Sequence, residues 1–137
     1  VESLTSEYRI KCLVLGNGLN GEQKKLMDLL DNKVISLVGK TTLTEAAEII
    51  NLSNFVVGVD TGLTHMSISL QKPTVALFGN TCPYLDPVNE NAKVIWENMF
   101  CKSCKDMSNQ NKEYTCLNGI YPDLVISTIS KIYRENY

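Results

Sequence analysis

The chain lacks any apolar run near the ~20 residues that cross a bilayer, so it does not read as integral to a membrane. It also lacks a surplus of basic residues. Thirteen Lys and Arg stand against 15 Asp and Glu, for a formal net charge of -2. General nucleic-acid binders draw affinity from phosphate neutralisation and are normally basic, so that class is disfavoured. No internal repeat or low-complexity stretch is present. The residues after Val1 are polar and mixed in charge, unlike a signal peptide. A Val at position 1 is the expected mark of a chain cut from something longer. Five cysteines are present (Cys12, Cys82, Cys101, Cys104 and Cys116), an odd number that argues against a pure disulfide scaffold.

What is present is ordinary globular material. A chain of 137 residues, 44% hydrophobic and 20% charged, is the size of one domain with a real core, and persistent disorder is excluded as its main state. Short apolar runs at Lys11–Leu15, Val34–Val38, Phe55–Val59 and Thr74–Phe78 read as strands, with a fifth expected at Lys93–Trp96. Between them, Glu22–Leu30 carries leucines at helical spacing, and Thr42-Leu43-Thr44-Glu45 reads as a capping box opening a helix. A short helix is expected from about Thr64 to Leu70. The last helix, Pro122–Tyr133, has Leu124, Val125, Thr128, Ile129 and Ile132 on one face. Alternating strands and helices, with strands apolar throughout, predict an α/β fold, a doubly wound parallel sheet covered on both faces. Ligands of such sheets sit beyond the carboxyl ends of the strands.

Two loops there carry candidate chemistry. Gly16-Asn17-Gly18-Leu19-Asn20-Gly21 matches the glycine fingerprint of dinucleotide sites, between a strand and a helix. The next strand should then end in an acid for the ribose, yet it runs Val38-Gly39-Lys40, so an NAD-binding use competes with a plain glycine-rich turn. Asp60-Thr61-Gly62-Leu63-Thr64-His65 is sharper. A strand delivers Asp60 at its carboxyl end, a helix follows, and a helix start offers N–H groups and partial positive charge to a phosphate. His65 is the single histidine of the chain. The competing reading makes Asp60 or Thr61 a simple helix cap and His65 a surface residue. An aspartic-protease Asp-Thr-Gly is disfavoured, because those enzymes are all-β and these residues sit in a βα pattern.

The stretch Phe55–Met66, followed by Lys72-Pro73-Thr74-Val75-Ala76-Leu77-Phe78-Gly79-Asn80-Thr81, resembles glycosyltransferase family 9, the heptosyltransferases of lipopolysaccharide core synthesis. Gly39-Lys40-Thr41-Thr42-Leu43-Thr44-Glu45 is similar to a further segment of that family. The resemblance implies a GT-B enzyme built from two Rossmann-like domains, this chain being the C-terminal, donor-binding half entered after its first strand. It implies a nucleotide-sugar donor of the ADP-heptose type and a lipopolysaccharide or related glycan acceptor. Thr61, Gly62, Leu63, Thr64 and His65 would hold the donor diphosphate, Asp60 the donor sugar, and Glu22, Gly39, Lys40 and Leu43 the nucleoside. No metal or cofactor is implied. The catalytic base would belong to the missing N-terminal domain, so this chain alone would not transfer sugar. The parent protein would be cytoplasmic, with peripheral contact at the inner face of the inner membrane. Ser67 and Ser69 depart from the alanines usual in the family, which suggests a looser helix.

Cys101-x2-Cys104-x11-Cys116 leaves three readings open: part of a structural zinc site with Cys82 as a fourth ligand, one disulfide plus a thiol, or three thiols. These cysteines fall in a flap expected at about 97–119 on a single domain spanning 1–137. Trp96 reads as core or interface, Lys24 and Lys25 as a solvated helix face, and Lys40 as surface or phosphate partner. Tyr84 and Asp86 are placed in a loop near the cleft, able to meet donor or acceptor.

Overall fold

A computed structural model describes residues 2–6, 9–18, 21–30, 33–79, 84–96 and 115–136. The elements run α1 (Glu2–Ser6), β1 (Cys12–Val14), α2 (Gly21–Leu29), β2 (Val34–Ser36), α3 (Leu43–Leu52), β3 (Val56–Val59), α4 (Gly62–Ser69), β4 (Thr74–Phe78), β5 (Ala92–Trp96), α5 (Thr115–Asn118) and α6 (Pro122–Asn136). The chain divides into two compact units, Val1–Glu48 and Ile49–Tyr137, with the division inside α3. Among the described residues every strand pairing is parallel, as the apolar βα pattern predicts.

In the Val1–Glu48 unit, β1 pairs with β2 in the register Leu13↔Ile35. The ladder continues past the strands: the Leu37 N–H donates to the Val14 carbonyl (2.9 Å) and the Gly39 N–H to the Gly16 carbonyl (2.7 Å). The two loops at the carboxyl ends are thereby fastened together. Gly39 has φ +67, and a Cβ there would stand 3.3 Å from the Asn17 carbonyl oxygen, so a side chain is strained twice over. Among the described glycines, Gly39 alone has a positive φ. The fingerprint loop thus owes nothing to left-handed backbone at Gly16, Gly18 or Gly21.

The capping box forms as written in the sequence. Glu45 Oε2 accepts from the Thr42 N–H (2.7 Å) and hydroxyl (2.8 Å), while the Glu45 N–H reaches back to Thr42 Oγ1 (3.3 Å). The Thr42 N–H, then the Thr42 hydroxyl, hold the Glu45 carboxyl below its ordinary value of 4.5.

In the Ile49–Tyr137 unit the sheet order is β3-β4-β5. β4 is central and carries the core: Val75, Ala76 and Phe78 are wholly buried. Ala76 and Phe78 cluster with Ile68 of α4 and Ala92 of β5, and Tyr84, Val94 and Trp96 pack against them. α6 packs on β4 and β5, burying Ile129 and Ile132 of its expected face. The Trp96 indole N–H donates to the Gly79 carbonyl at 2.9 Å, so its role is packing at the end of β5.

The strands depart from expectation in one respect. Burial on both faces holds for β4, but β1, β2 and β3 alternate. Leu13, Ile35, Val57 and Val59 are exposed. Side chains alternate across a strand, and these four lie on the more open face of theirs.

The turn from α4 to β4 is held by polar groups. The Gln71 N–H donates to the Ile68 carbonyl and the Lys72 N–H to the Ser67 carbonyl, both at 3.0 Å, the pattern of a Schellman end with Gln71 (φ 58) in the position usually given to Gly. The Lys72 carbonyl then accepts from the Thr74 hydroxyl (2.8 Å) and from Asn89 Nδ2 (2.8 Å). Thr74 has spent its one hydrogen there, so the Ser67 hydroxyl donates to Thr74 Oγ1 (2.7 Å). Ser67 is fully buried. It therefore fastens α4 to β4, where the departure from Ala suggested loosening.

Candidate functional site

The site residues on β3 and α4 are positioned by one close approach. Gly58 lies in β3 directly beneath Thr64, and a Cβ on Gly58 would overlap Thr64 Oγ1. That space lets the buried Thr64 hydroxyl reach back and donate to the Val59 carbonyl at 2.6 Å. The last carbonyl of the strand is thus capped by the first turn of the helix, and the chain turns sharply into α4.

The helix begins at Gly62, two residues before the expected start. Thr61 is extended (φ -141, ψ 160) and occupies the N-cap position without a side-chain cap bond. The Thr61 carbonyl accepts from the N–H of Thr64 (3.1 Å) and of His65 (3.3 Å). Of the N–H groups expected to face a diphosphate, that of Thr64 already has an acceptor. Those of Gly62 and Leu63 precede any helical carbonyl and form the open start of α4. Gly62 has open space around it.

Asp60 stands one residue past the end of β3. Its Oδ1 lies 2.9 Å from His65 Nε2, both side chains being about one-third exposed. The other ring nitrogen, Nδ1, lies 2.6 Å from the Tyr84 hydroxyl. The Tyr84 ring meets Phe78 edge-on, with centroids 5.5 Å apart, and meets His65 at 5.6 Å in the same manner. Asp60, Thr61, Gly62, Leu63, Thr64 and His65 are therefore gathered as the sequence motif predicts, at the carboxyl end of a parallel strand. Sequence reasoning placed Tyr84 near the cleft but missed its contact with His65, which lies 19 positions away. Beside this trio an open hollow of about 460 Å³ is bordered by Ile68, Asp86, Pro87 and Val88.

The expected nucleoside residues belong to the other unit. Gly39 and Lys40 form the turn after β2, and Leu43 opens α3 with its side chain exposed. Glu22 falls in the first turn of α2, and its side chain is outside the described residues. A hollow of about 510 Å³ in this unit is lined by Cys12 and Val34, at the amino ends of β1 and β2. That is the wrong end for a ligand of a parallel sheet.

Cys82, Cys101 and Cys104 lie outside the described residues, as does the side chain of Cys116, whose backbone belongs to α5. Most of the expected flap is likewise outside them. Cys12 is a free thiol. Among the described residues, no three His, Cys, Asp or Glu side chains gather as metal ligands, and no helix is long and apolar enough to cross a membrane.

Comparison with known proteins agrees with the motif. The Campylobacter jejuni lipooligosaccharide heptosyltransferase 2 is 27% identical over 110 residues, covering 77% of this chain and 34% of that protein. Among solved structures, E. coli ADP-heptose LPS heptosyltransferase II has a TM-score of 0.77 at 21% identity, over 98% of this chain and 41% of its own. E. coli heptosyltransferase WaaC with ADP-2-deoxy-2-fluoro heptose has a TM-score of 0.67 at 23% identity, over 94% and 35%. At these identities the structural likeness establishes the α/β fold. The chain spans about a third of the length of the curated relative. Residues 12–115 match the profile of glycosyltransferase family 9 (heptosyltransferase), and that match, running over most of the sequence and through the whole Asp60–His65 loop, shows that the chain belongs to this family.

Proposed function

We propose that this chain is the donor-binding part of a glycosyltransferase that moves a sugar of the heptose type from a nucleoside diphosphate to a lipopolysaccharide core or related glycan. The observation that carries the reading is the open start of α4 at the carboxyl end of β3, with Asp60 beside it. The donor diphosphate rests on the N–H groups of Thr61, Gly62 and Leu63, where the helix dipole favours negative charge. Thr64 shapes the turn through its hydroxyl, and His65 borders the phosphates. Asp60 accepts hydrogen bonds from hydroxyls of the donor sugar.

As the glycosidic bond to the diphosphate breaks, negative charge grows on the leaving oxygen. Preorganised N–H donors stabilise that charge more than they stabilise the intact donor, and this difference lowers the barrier. The proposal needs no metal or organic cofactor. The base that removes the acceptor proton comes from outside this chain, from an N-terminal domain of the parent protein, and the transfer inverts the anomeric centre. Glu22, Gly39, Lys40 and Leu43 are assigned to the nucleoside, a claim about the Val1–Glu48 unit to be tested on that unit's own residues. The parent enzyme is placed in the cytoplasm, with its acceptor at the inner membrane.

Calorimetric titration of the chain with ADP, GDP, UDP, CMP and NAD tests this, repeated on Gly62→Pro. Proline is tolerated at the first helical position, Thr61 is already extended as a residue before proline must be, and a Cβ on Gly62 would meet no atom within 4 Å. The variant should fold and lack one phosphate donor. ADP-selective binding, weakened about tenfold in Gly62→Pro, supports the reading, since a hydrogen bond to a charged group is worth roughly 1.5–3 kcal/mol. NAD-selective binding untouched by Gly62→Pro would move the ligand to Gly16–Gly21 and overturn it.

A further inference from the structure

We infer that His65 is a strut that orients Asp60, fixed in its turn by Tyr84, and that it does not ligate phosphate through its ring. The inference deepens the donor-site reading and rests on it for the role of Asp60. A carboxylate only accepts hydrogen bonds, so His65 Nε2, 2.9 Å from Asp60 Oδ1, carries a hydrogen. The neutral ring then has its lone pair on Nδ1, and the Tyr84 hydroxyl donates into it across 2.6 Å. One N–H and one lone pair are all a neutral imidazole has, and both are engaged. A phosphate oxygen seeking this ring would have to displace Asp60 from a charge-assisted bond.

The support behind the ring comes from the core. Tyr84 packs against the core cluster of β4, edge-on to the fully buried Phe78, and the His65 ring lies 6.2 Å from that same Phe78. The line Tyr84–His65–Asp60 therefore ties the loop after β4 to the loop after β3 and sets the plane of the Asp60 carboxylate. A carboxylate that selects among sugar hydroxyls needs such a fixed plane, because hydrogen bonds weaken steeply with misalignment. Tyr84 is accordingly a positioning residue for donor-sugar recognition, acting through His65.

Because His65 is the only histidine, nitrogen NMR of the imidazole reads this arrangement without assignment. The ligand-free chain, in mildly alkaline buffer, should show one pyrrole-type nitrogen at Nε2 and one pyridine-type nitrogen at Nδ1. Tyr84→Phe should shift the Nδ1 resonance downfield, by loss of the donated hydrogen bond, while Nε2 keeps its hydrogen. Saturation with ADP should move the backbone amides of Gly62 and Leu63 and change the two ring nitrogens less than Tyr84→Phe does. A hydrogen on Nδ1, or rapid averaging of the two nitrogens, in the unmodified chain would overturn the inference even if Tyr84→Phe fails to fold. So would a ring response to ADP larger than that of the variant. Unmoved Gly62 and Leu63 amides would count against the donor-site reading instead, and the ligand-free spectrum would still decide the strut.

Discussion

Gly58 of β3 and Thr64 of α4 share one space: the hydroxyl that caps the Val59 carbonyl fills the volume a Cβ on residue 58 would need. Gly58→Ala must therefore push Thr64 off that carbonyl or push the strand from the helix. The unfolded-state gain from replacing Gly is at most about 1 kcal/mol. The overpacking and the part-buried Val59 carbonyl left without the Thr64 hydroxyl together cost roughly 2–4 kcal/mol. The loss wins, and a denaturant titration of Gly58→Ala should show a lowered midpoint. ADP affinity should fall as well, since the start of α4 moves with Thr64.

The Ser67–Thr74–Lys72 chain of hydroxyls has a direction, and the direction makes its two ends unequal. Ser67→Ala takes away a donor and leaves Thr74 still donating to the Lys72 carbonyl, a loss of about 1 kcal/mol. Thr74→Val strips the buried Ser67 hydroxyl of its acceptor and the Lys72 carbonyl of one of its two donors, for roughly 2–3 kcal/mol. Thermal melts of the two variants should rank in that order; the reverse ranking would mean Thr74 donates to Ser67.

Acid should dismantle the start of α3 before the rest of its helix. The folded Glu45 carboxyl titrates below its ordinary 4.5, held by the Thr42 N–H first and the Thr42 hydroxyl second. A depressed carboxyl contributes stability that is complete above the unfolded value and is lost as pH falls through the lower folded one. Glu45→Gln should thus be less stable than the parent chain at neutral pH, and the two melting curves should converge as pH drops well below 4.5.

What could be read from the residues, and what could not, divides by sequence distance. The Thr42–Glu45 box and β4 were legible because each is decided within a few residues, by a cap spacing and by an unbroken apolar run. The start of α4 was misplaced because Gly62, its first residue, is a poor helix former, and the bond from the Thr64 hydroxyl to the Val59 carbonyl outweighs that propensity. The obligation on Gly58 is invisible until the Thr64 side chain is placed. Tyr84 meets His65 only because β4 runs parallel to β3 and ends beside it. The apolar character of β1, β2 and β3 suggested two covered faces, yet their alternation shows that composition alone does not say which face is covered.

The tie between Trp96 and the Gly79 carbonyl gives the molecule a built-in optical probe. It is the only indole in the chain, and it is anchored where β4 and β5 end, in the Ile49–Tyr137 unit. Its emission will follow the melting of that unit. A fluorescence transition and a circular-dichroism transition that coincide would mean the two units unfold as one cooperative body; transitions that separate would give the stability of each from a single sample.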